Sequence, residues 1–142
     1  MNKIIYIFLS LTLIMTSCHY KKDKLKIKNN SKKDIYYHLI LKYRNEDTYY
    51  GPAVGGKIKP NTYDSPGIRG TLLYEMNKNS YNKTLYIVYF NVKDREYVYK
   101  NENTIIFNKN FNVDKYSIKE LDSMKWIINY PRVNSIRTNK KD

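Results

Sequence analysis

The run TLYIVYFNV, Thr84 to Val92, is apolar on both of its alternating faces. Leu85, Ile87 and Tyr89 share one face, and Tyr86, Val88 and Phe90 share the other. Successive side chains of a strand point to opposite sides, so such a segment is stable only where structure covers both. A chain that holds it must build a sheet around it and supply a layer for each face.

The remaining periodicities say what those layers are made of. Ile35 to Tyr43 alternates, with Ile35, Tyr37, Leu39, Leu41 and Tyr43 on one face and Tyr36, His38, Ile40 and Lys42 on the other. Period two with aromatic and β-branched residues predicts a strand. Leu25 to Ile27, Tyr97 to Tyr99, Thr104 to Phe107 and Trp126 to Tyr130 read as shorter strands, and Asn29-Asn30-Ser31 as a turn. A weak helix is expected over Thr71 to Lys78. A better one starts at Ser117, where Glu120 three residues on makes a capping box and Ile118, Leu121 and Met124 form an apolar stripe. Early Glu120 and Asp122 and late Lys125 suit its dipole. The expectation is a mainly β, sandwich-like domain with one or two short helices; the alternative is an α+β sheet with a covering helix.

The N-terminus carries an address. MNKIIYIFLSLTLIMTSC has a positive start at Lys3, an uncharged run from Ile4 to Met15, and small Thr16 and Ser17 before Cys18. These are the parts of an export signal. A permanent span needs roughly 20 apolar residues, and this run is shorter. Met15-Thr16-Ser17-Cys18 resembles the bacterial lipobox, with Met15 where Leu is usual. That resemblance implies a diacylglyceryl thioether on Cys18, cleavage before it and acylation, palmitate included, of the new N-terminus. Cys18 is the one cysteine, so no disulfide can form within the chain.

Without residues 1–17 about 125 residues remain, enough for one domain with a core and too few for two. The formal charge is +13, which loses one with Lys3. Lys, Asn, Ile and Tyr share AT-rich codons, so the total carries less information than its placement. Lys21, Lys22, Lys24, Lys26, Lys28, Lys32 and Lys33 follow the anchor against one acid, Asp23. Lysines at an anionic surface contribute about 1 kcal/mol each within a Debye length of roughly 8 Å. Lys21, Lys22 and Lys24 are therefore the expected membrane-surface contacts. An exported chain meets little nucleic acid, so no nucleic-acid partner is expected. The expected organisation is a signal at 1–17, an acylated basic tether and first turn at 18–33, a globular domain at 34–131 and a basic tail at 132–142.

KIKNNSKKDIYY early and YSIKELDSMKWIINYP late give the chain a further likeness. With the Pro60-Asn61 loop between them, they resemble a group of small lipoproteins of Bacteroidetes. That group has no established activity to carry over; the resemblance implies the anchor and the compartment. In such lipoproteins surface display goes with an acidic run after the cysteine. His19-Tyr20-Lys21-Lys22 has the opposite sign, which implies the periplasm-facing leaflet of the outer membrane.

Candidate chemistry is thin. GPAVGGKI, Gly51 to Ile58, has the frame of a phosphate-binding loop, but Ile58 stands where Ser or Thr must hold magnesium and Pro60 blocks the helix. His38 has no nucleophile elbow to serve. The pairs Glu46/Asp47, Asp94/Glu96 and Glu120/Asp122 read as turn and cap charges. No catalytic residue, metal ligand or cofactor is expected. Binding is the better class, because tyrosine gives contact area at low entropy cost and a hydroxyl to bond. The stretch Arg44 to Arg69, about 26 residues, is longer than an idle loop usually is. Tyr49, Tyr50, Tyr63 and Arg69 within it are the candidate binding residues, with Trp126 outside it. The expected function is a non-catalytic protein-interaction module of the cell envelope, an accessory, inhibitor or immunity type. A glycan or cell-wall binder is the alternative and a hydrolase a distant third.

Overall fold

The computed structural model describes residues 21–44, 48–68 and 70–132. The expected signal, Cys18, Arg69, Glu46 and Asp47, the side chains of Lys21 and Lys22, and the tail after Arg132 lie outside the described residues.

In chain order the elements begin with β1 (Lys21–Lys22), β2 (Lys26–Asn29) and the long β3 (Ile35–Lys42). Five two-residue strands follow, β4 (Tyr49–Tyr50), β5 (Ala53–Val54), β6 (Lys57–Ile58), β7 (Tyr63–Asp64) and β8 (Gly67–Ile68). Helix α1 (Leu72–Tyr74) runs into a π-helical turn at Glu75–Asn79 and leads to β9 (Thr84–Phe90). A 3-10 turn at Val92–Asp94 opens α2 (Arg95–Lys100), with α3 (Glu102–Ile105) directly after it. The chain closes with β10 (Asn112–Ser117), α4 (Ile118–Ser123) and β11 (Ile127–Tyr130). The class is mainly β with short helices.

The main sheet has the order β10-β9-β3-β4, with β6 also pairing β3. Strand β9 is interior, antiparallel to β10 (Val113 opposite Val88) and to β3 (Leu39 opposite Ile87). Both its faces are covered, as its two-sided apolar pattern demands. On one face Leu85, Ile87 and Tyr89 join Tyr37, Leu39 and Leu41 in a large core with Leu25, Ile27, Ile128, Leu121 and Trp126. Ile27 and Ile128 come from a second sheet, order β11-β2-β7, Leu25 directly precedes it, and Leu121 and Trp126 come from α4 and the turn after it, so two sheets pack face to face there. On the other face Ile40, Val88 and Phe90 meet Val98 of α2 and Ile105 of α3. Each such fully buried aliphatic side chain contributes about 1.5–3 kcal/mol. The layers are thus sheet, sheet, helix. The sandwich and the covering helix are both present, on opposite faces.

Four expectations are corrected. Tyr97–Tyr99 and Thr104–Phe107 are not strands but fall in and after α2 and α3. Val98 of α2 and Ile105 of α3 are both fully buried against the outer face of the main sheet. Strand β10 was not expected; it is an edge strand whose one buried residue is Tyr116. The stretch Arg44 to Arg69 is not open loop: its described part is pinned by β4 to β8. The packed body also begins before residue 34. Asp23 Oδ1 accepts the Leu25 N–H at 3.0 Å and its Oδ2 accepts the Leu72 N–H at 2.8 Å, which ties this segment to the first turn of α1. Residues 23 to 29 belong to the body rather than to a tether.

Asn29 shows why the Asn-rich turn works. It is fully buried. Its amide donates to the carbonyls of Ile58 (3.0 Å) and Lys33 (2.7 Å), and its Oδ1 accepts from the Ser31 N–H and hydroxyl. A buried amide costs stability unless such partners are all supplied.

Candidate functional site

Helices α2 and α3 cover only part of the outer face of the main sheet. Side chains facing that layer run Tyr36, His38, Ile40, Lys42 along β3. The first three lie under or beside α2 and α3; Lys42 lies past them, at the end where β4 joins. Across that end, which no described helix covers, Lys42, Tyr49 of β4, Tyr86 of β9 and Lys115 of β10 stand on the same face. The Tyr49 ring meets Tyr86 and Phe107 edge to face, at 5.9 and 6.0 Å between centroids. The Lys42 ammonium is 6.0 Å from the Tyr49 ring and 5.3 Å from the Tyr81 ring, and Lys115 is 5.8 Å from Tyr86. Phe107 is 69% exposed and Tyr81 66%. Two cations thus stand among four aromatic rings: Tyr49 and Tyr86 pack against the second core, and Phe107 and Tyr81 are exposed.

A partly buried lock holds β4 in that position. Glu102 of α3 pairs through Oε1 with His38 Nε2 at 2.6 Å and accepts the Gly51 N–H on Oε2 at 3.2 Å. One residue on, Asn103 Oδ1 accepts the Tyr49 N–H at 2.7 Å. His38 is 3% exposed, and the Tyr99 ring closes on it at 4.6 Å. Its Nδ1 has no hydrogen-bond partner among the described residues. Only glycine fits at position 51, since a Cβ there would run into the His38 ring and the Glu102 carboxylate. This is a structural histidine, paired and packed, with no hydroxyl or thiol bonded to it among the described residues.

The residues singled out from the sequence do not converge. Tyr49 sits in the aromatic patch. Tyr50, its neighbour, points to the other face, stacks on Tyr43 at 4.0 Å and donates to Glu75 Oε2 at 3.0 Å. Burial first, and then the Glu75 hydrogen bond and charge, push its phenol well above the usual range. Tyr63 lies on the second sheet, 65% exposed, with Lys26 5.4 Å above its ring. Trp126 is a core residue, 3% exposed, which corrects its reading as a binding platform. Its indole N–H donates to Asp122 Oδ1 at 2.7 Å and Lys24 Nζ covers its ring at 3.7 Å. Lys24 is thereby engaged in the body and also lies 3.8 Å from Asp122. Missed from the sequence were Lys42, Tyr81, Tyr86, Phe107 and Lys115. The alternation of β3 and β9 put Lys42 and Tyr86 on a common face; nothing local marked Phe107 or the strand that carries Lys115.

At the opposite end of β3, about 20 Å away along the strand, lies a cleft of about 620 Å³ lined by Asp34, Tyr36, Lys57, Asn91, Val92, Lys93 and Asp94. Lys57 pairs there with Asp34 at 2.5 Å. The frame Gly51 to Ile58 forms short strands, with Lys57–Ile58 as β6 and no helix after it. Among the described residues no three His, Cys, Asp or Glu side chains converge as a metal site requires. No family model matches the chain, and no curated protein or solved structure matches it.

Proposed function

We propose that the chain is a lipid-anchored protein of the bacterial cell envelope, held through Cys18 in the periplasm-facing leaflet of the outer membrane. It acts there as a non-catalytic protein-interaction module. The observation that carries the second part is the aromatic end of the main sheet that no described helix covers. Surfaces that bind proteins are enriched in aromatic residues around a few central anchors. Contiguous exposed apolar surface marks interaction sites, and Tyr81 and Phe107 are both exposed at this end of the sheet. Lys115 beside the rings favours an acidic partner, because a cation held over an aromatic face still attracts carboxylates. The buried pairing of His38 supports a binding rather than a catalytic reading.

The test is in-cell crosslinking of the tagged full-length protein, detergent extraction and mass spectrometry. A single acidic protein recovered near one-to-one is expected, and recovery should fall at least about tenfold for Tyr81→Ala with Phe107→Ala, as anchors worth about 2 kcal/mol demand. Abundant bait with no stoichiometric protein overturns the reading. A glycan binder is the second reading, favoured by the cleft beside Tyr36, where carboxylates, an amide and an aromatic ring line one cavity. It requires retention on purified peptidoglycan or polysaccharide that is lost in Tyr36→Ala.

A further inference from the structure

The second sheet has an inner face in the large core and an outer face that nothing described covers. Along β2, Ile27 and Asn29 point inward and are fully buried, so Lys26 and Lys28 point outward. Lys28 is registered between Tyr63 of β7 and Asn129 of β11, and Lys26 is registered with Ile127. Tyr63 is 65% exposed and Ile127 44%. The outer face is therefore a short flat panel of two lysines with a tyrosine, an isoleucine and an asparagine around them. The one carboxylate of β7, Asp64, is turned inward, where it accepts from the Tyr37 hydroxyl at 2.9 Å.

We infer that this panel is the side of the molecule that lies on the membrane, with an anionic phospholipid surface as its occupant. Charge complementarity is one ground: lysines reach phosphate head groups while their stems, with exposed Tyr63 and Ile127, suit the head-group layer where amphipathic rings settle. Geometry is the other. Strand β1 is fixed by pairing Lys21 with Ile68. Eight residues separate Cys18 from Lys26, a reach of at most about 28 Å fully extended. An anchor on Cys18 therefore cannot lie farther than that from the panel. The inference rests on the anchored reading, and it adds an orientation: helices α2 and α3, on the far side of the main sheet, face away from the membrane.

The experiment separates the two ideas. If the Cys18 thiol is acylated, an introduced cysteine is the one free thiol in the purified full-length protein. Asn129→Cys, on the panel, and Lys93→Cys, at the start of the helical layer, are each labelled with an environment-sensitive dye. Both are placed in phosphatidylcholine nanodiscs with and without phosphatidylglycerol. The mass of the protein reports the anchor on its own. The Asn129→Cys label should blue-shift and become shielded from an aqueous quencher on anionic discs, while the Lys93→Cys label stays exposed. Adding Lys26→Gln and Lys28→Gln should lower the ratio of shielded to exposed molecules about fivefold per lysine, so roughly thirtyfold, at unchanged circular dichroism. An acylated protein whose panel label is as open to quencher as the Lys93→Cys label overturns the orientation and leaves the anchor standing. A mass without acyl groups overturns the anchored reading itself.

Discussion

Glu102 ties three parts of the fold together through one carboxylate, with His38 of β3 on one oxygen and the Gly51 N–H on the other. Glu102→Ala leaves a 3%-exposed histidine with neither ring nitrogen satisfied and frees the turn after β4. A buried polar group stripped of its partner costs about 1–3 kcal/mol. The expected result is a lower urea midpoint for Glu102→Ala with an unchanged slope. Glu102→Gln, which can still bond both groups, should lose less than half as much. Equal losses would mean that packing, not the pairing, matters. None of this was legible in the sequence, because His38 and Glu102 stand 64 residues apart and no local pattern links them. Trp126 was opaque for another reason. Hydropathy gives an aromatic side chain the same score in a core as on a platform. What decides its place is the backbone, which turns left-handed at Lys125 (φ 53°) and Trp126 (φ 60°) and swings the ring under α4. That conformation costs roughly 1–2 kcal/mol per residue, which ring burial and the Asp122 hydrogen bond offset.

At the scale of elements, legibility follows how much of the pattern is local. The capping box of α4 was readable because all its parts lie within four residues. Ser117 Oγ accepts the Glu120 N–H at 3.2 Å and Glu120 Oε2 accepts the Ser117 N–H at 2.7 Å. By contrast, β10 carries mostly polar residues and is a strand only because β9 offers it an edge. The tyrosines and β-branched residues of α2 and α3 favour strands intrinsically, and packing overrides that preference. The cap has a pH signature. The Ser117 backbone hydrogen bond, and then its hydroxyl, hold the Glu120 carboxyl below the usual range. A depressed folded-state pKa stabilises the fold above the unfolded value of about 4.3 and is lost as pH falls through the lower folded value. Stability should therefore decline on acidification below about pH 4, by less than about 1 kcal/mol from this exposed group. Glu120→Gln, which cannot titrate, should show a shallower acid limb in urea unfolding followed across that range. A limb of unchanged slope would remove Glu120 from the account.

On the scale of the whole molecule, the constraint set by Thr84 to Val92 becomes one of cooperativity. Strands β3 and β9 contribute alternate residues to both cores, so neither layer can leave without exposing a face of the same sheet. Ile87 and Ile40 test this with identical chemistry, since both are fully buried, one toward the second sheet and the other toward the helices. Ile→Val at either site should cost about 0.5–1.5 kcal/mol. Trp126, the one tryptophan, sits in the large core and reports that layer by fluorescence, while far-ultraviolet circular dichroism reports the helices as well. If the sheet couples the two layers, both probes shift together in both variants, with coincident urea transitions. If the helical layer melts separately, Ile40→Val will produce an early dichroism change that Trp126 does not see. The uncovered aromatic end would then rest on a layer of low local stability, because Glu102 and Asn103 of α3 are what hold β4 in place. Coincident transitions instead make the patch a rigid part of the fold, presented to its partner with little ordering left to do on binding.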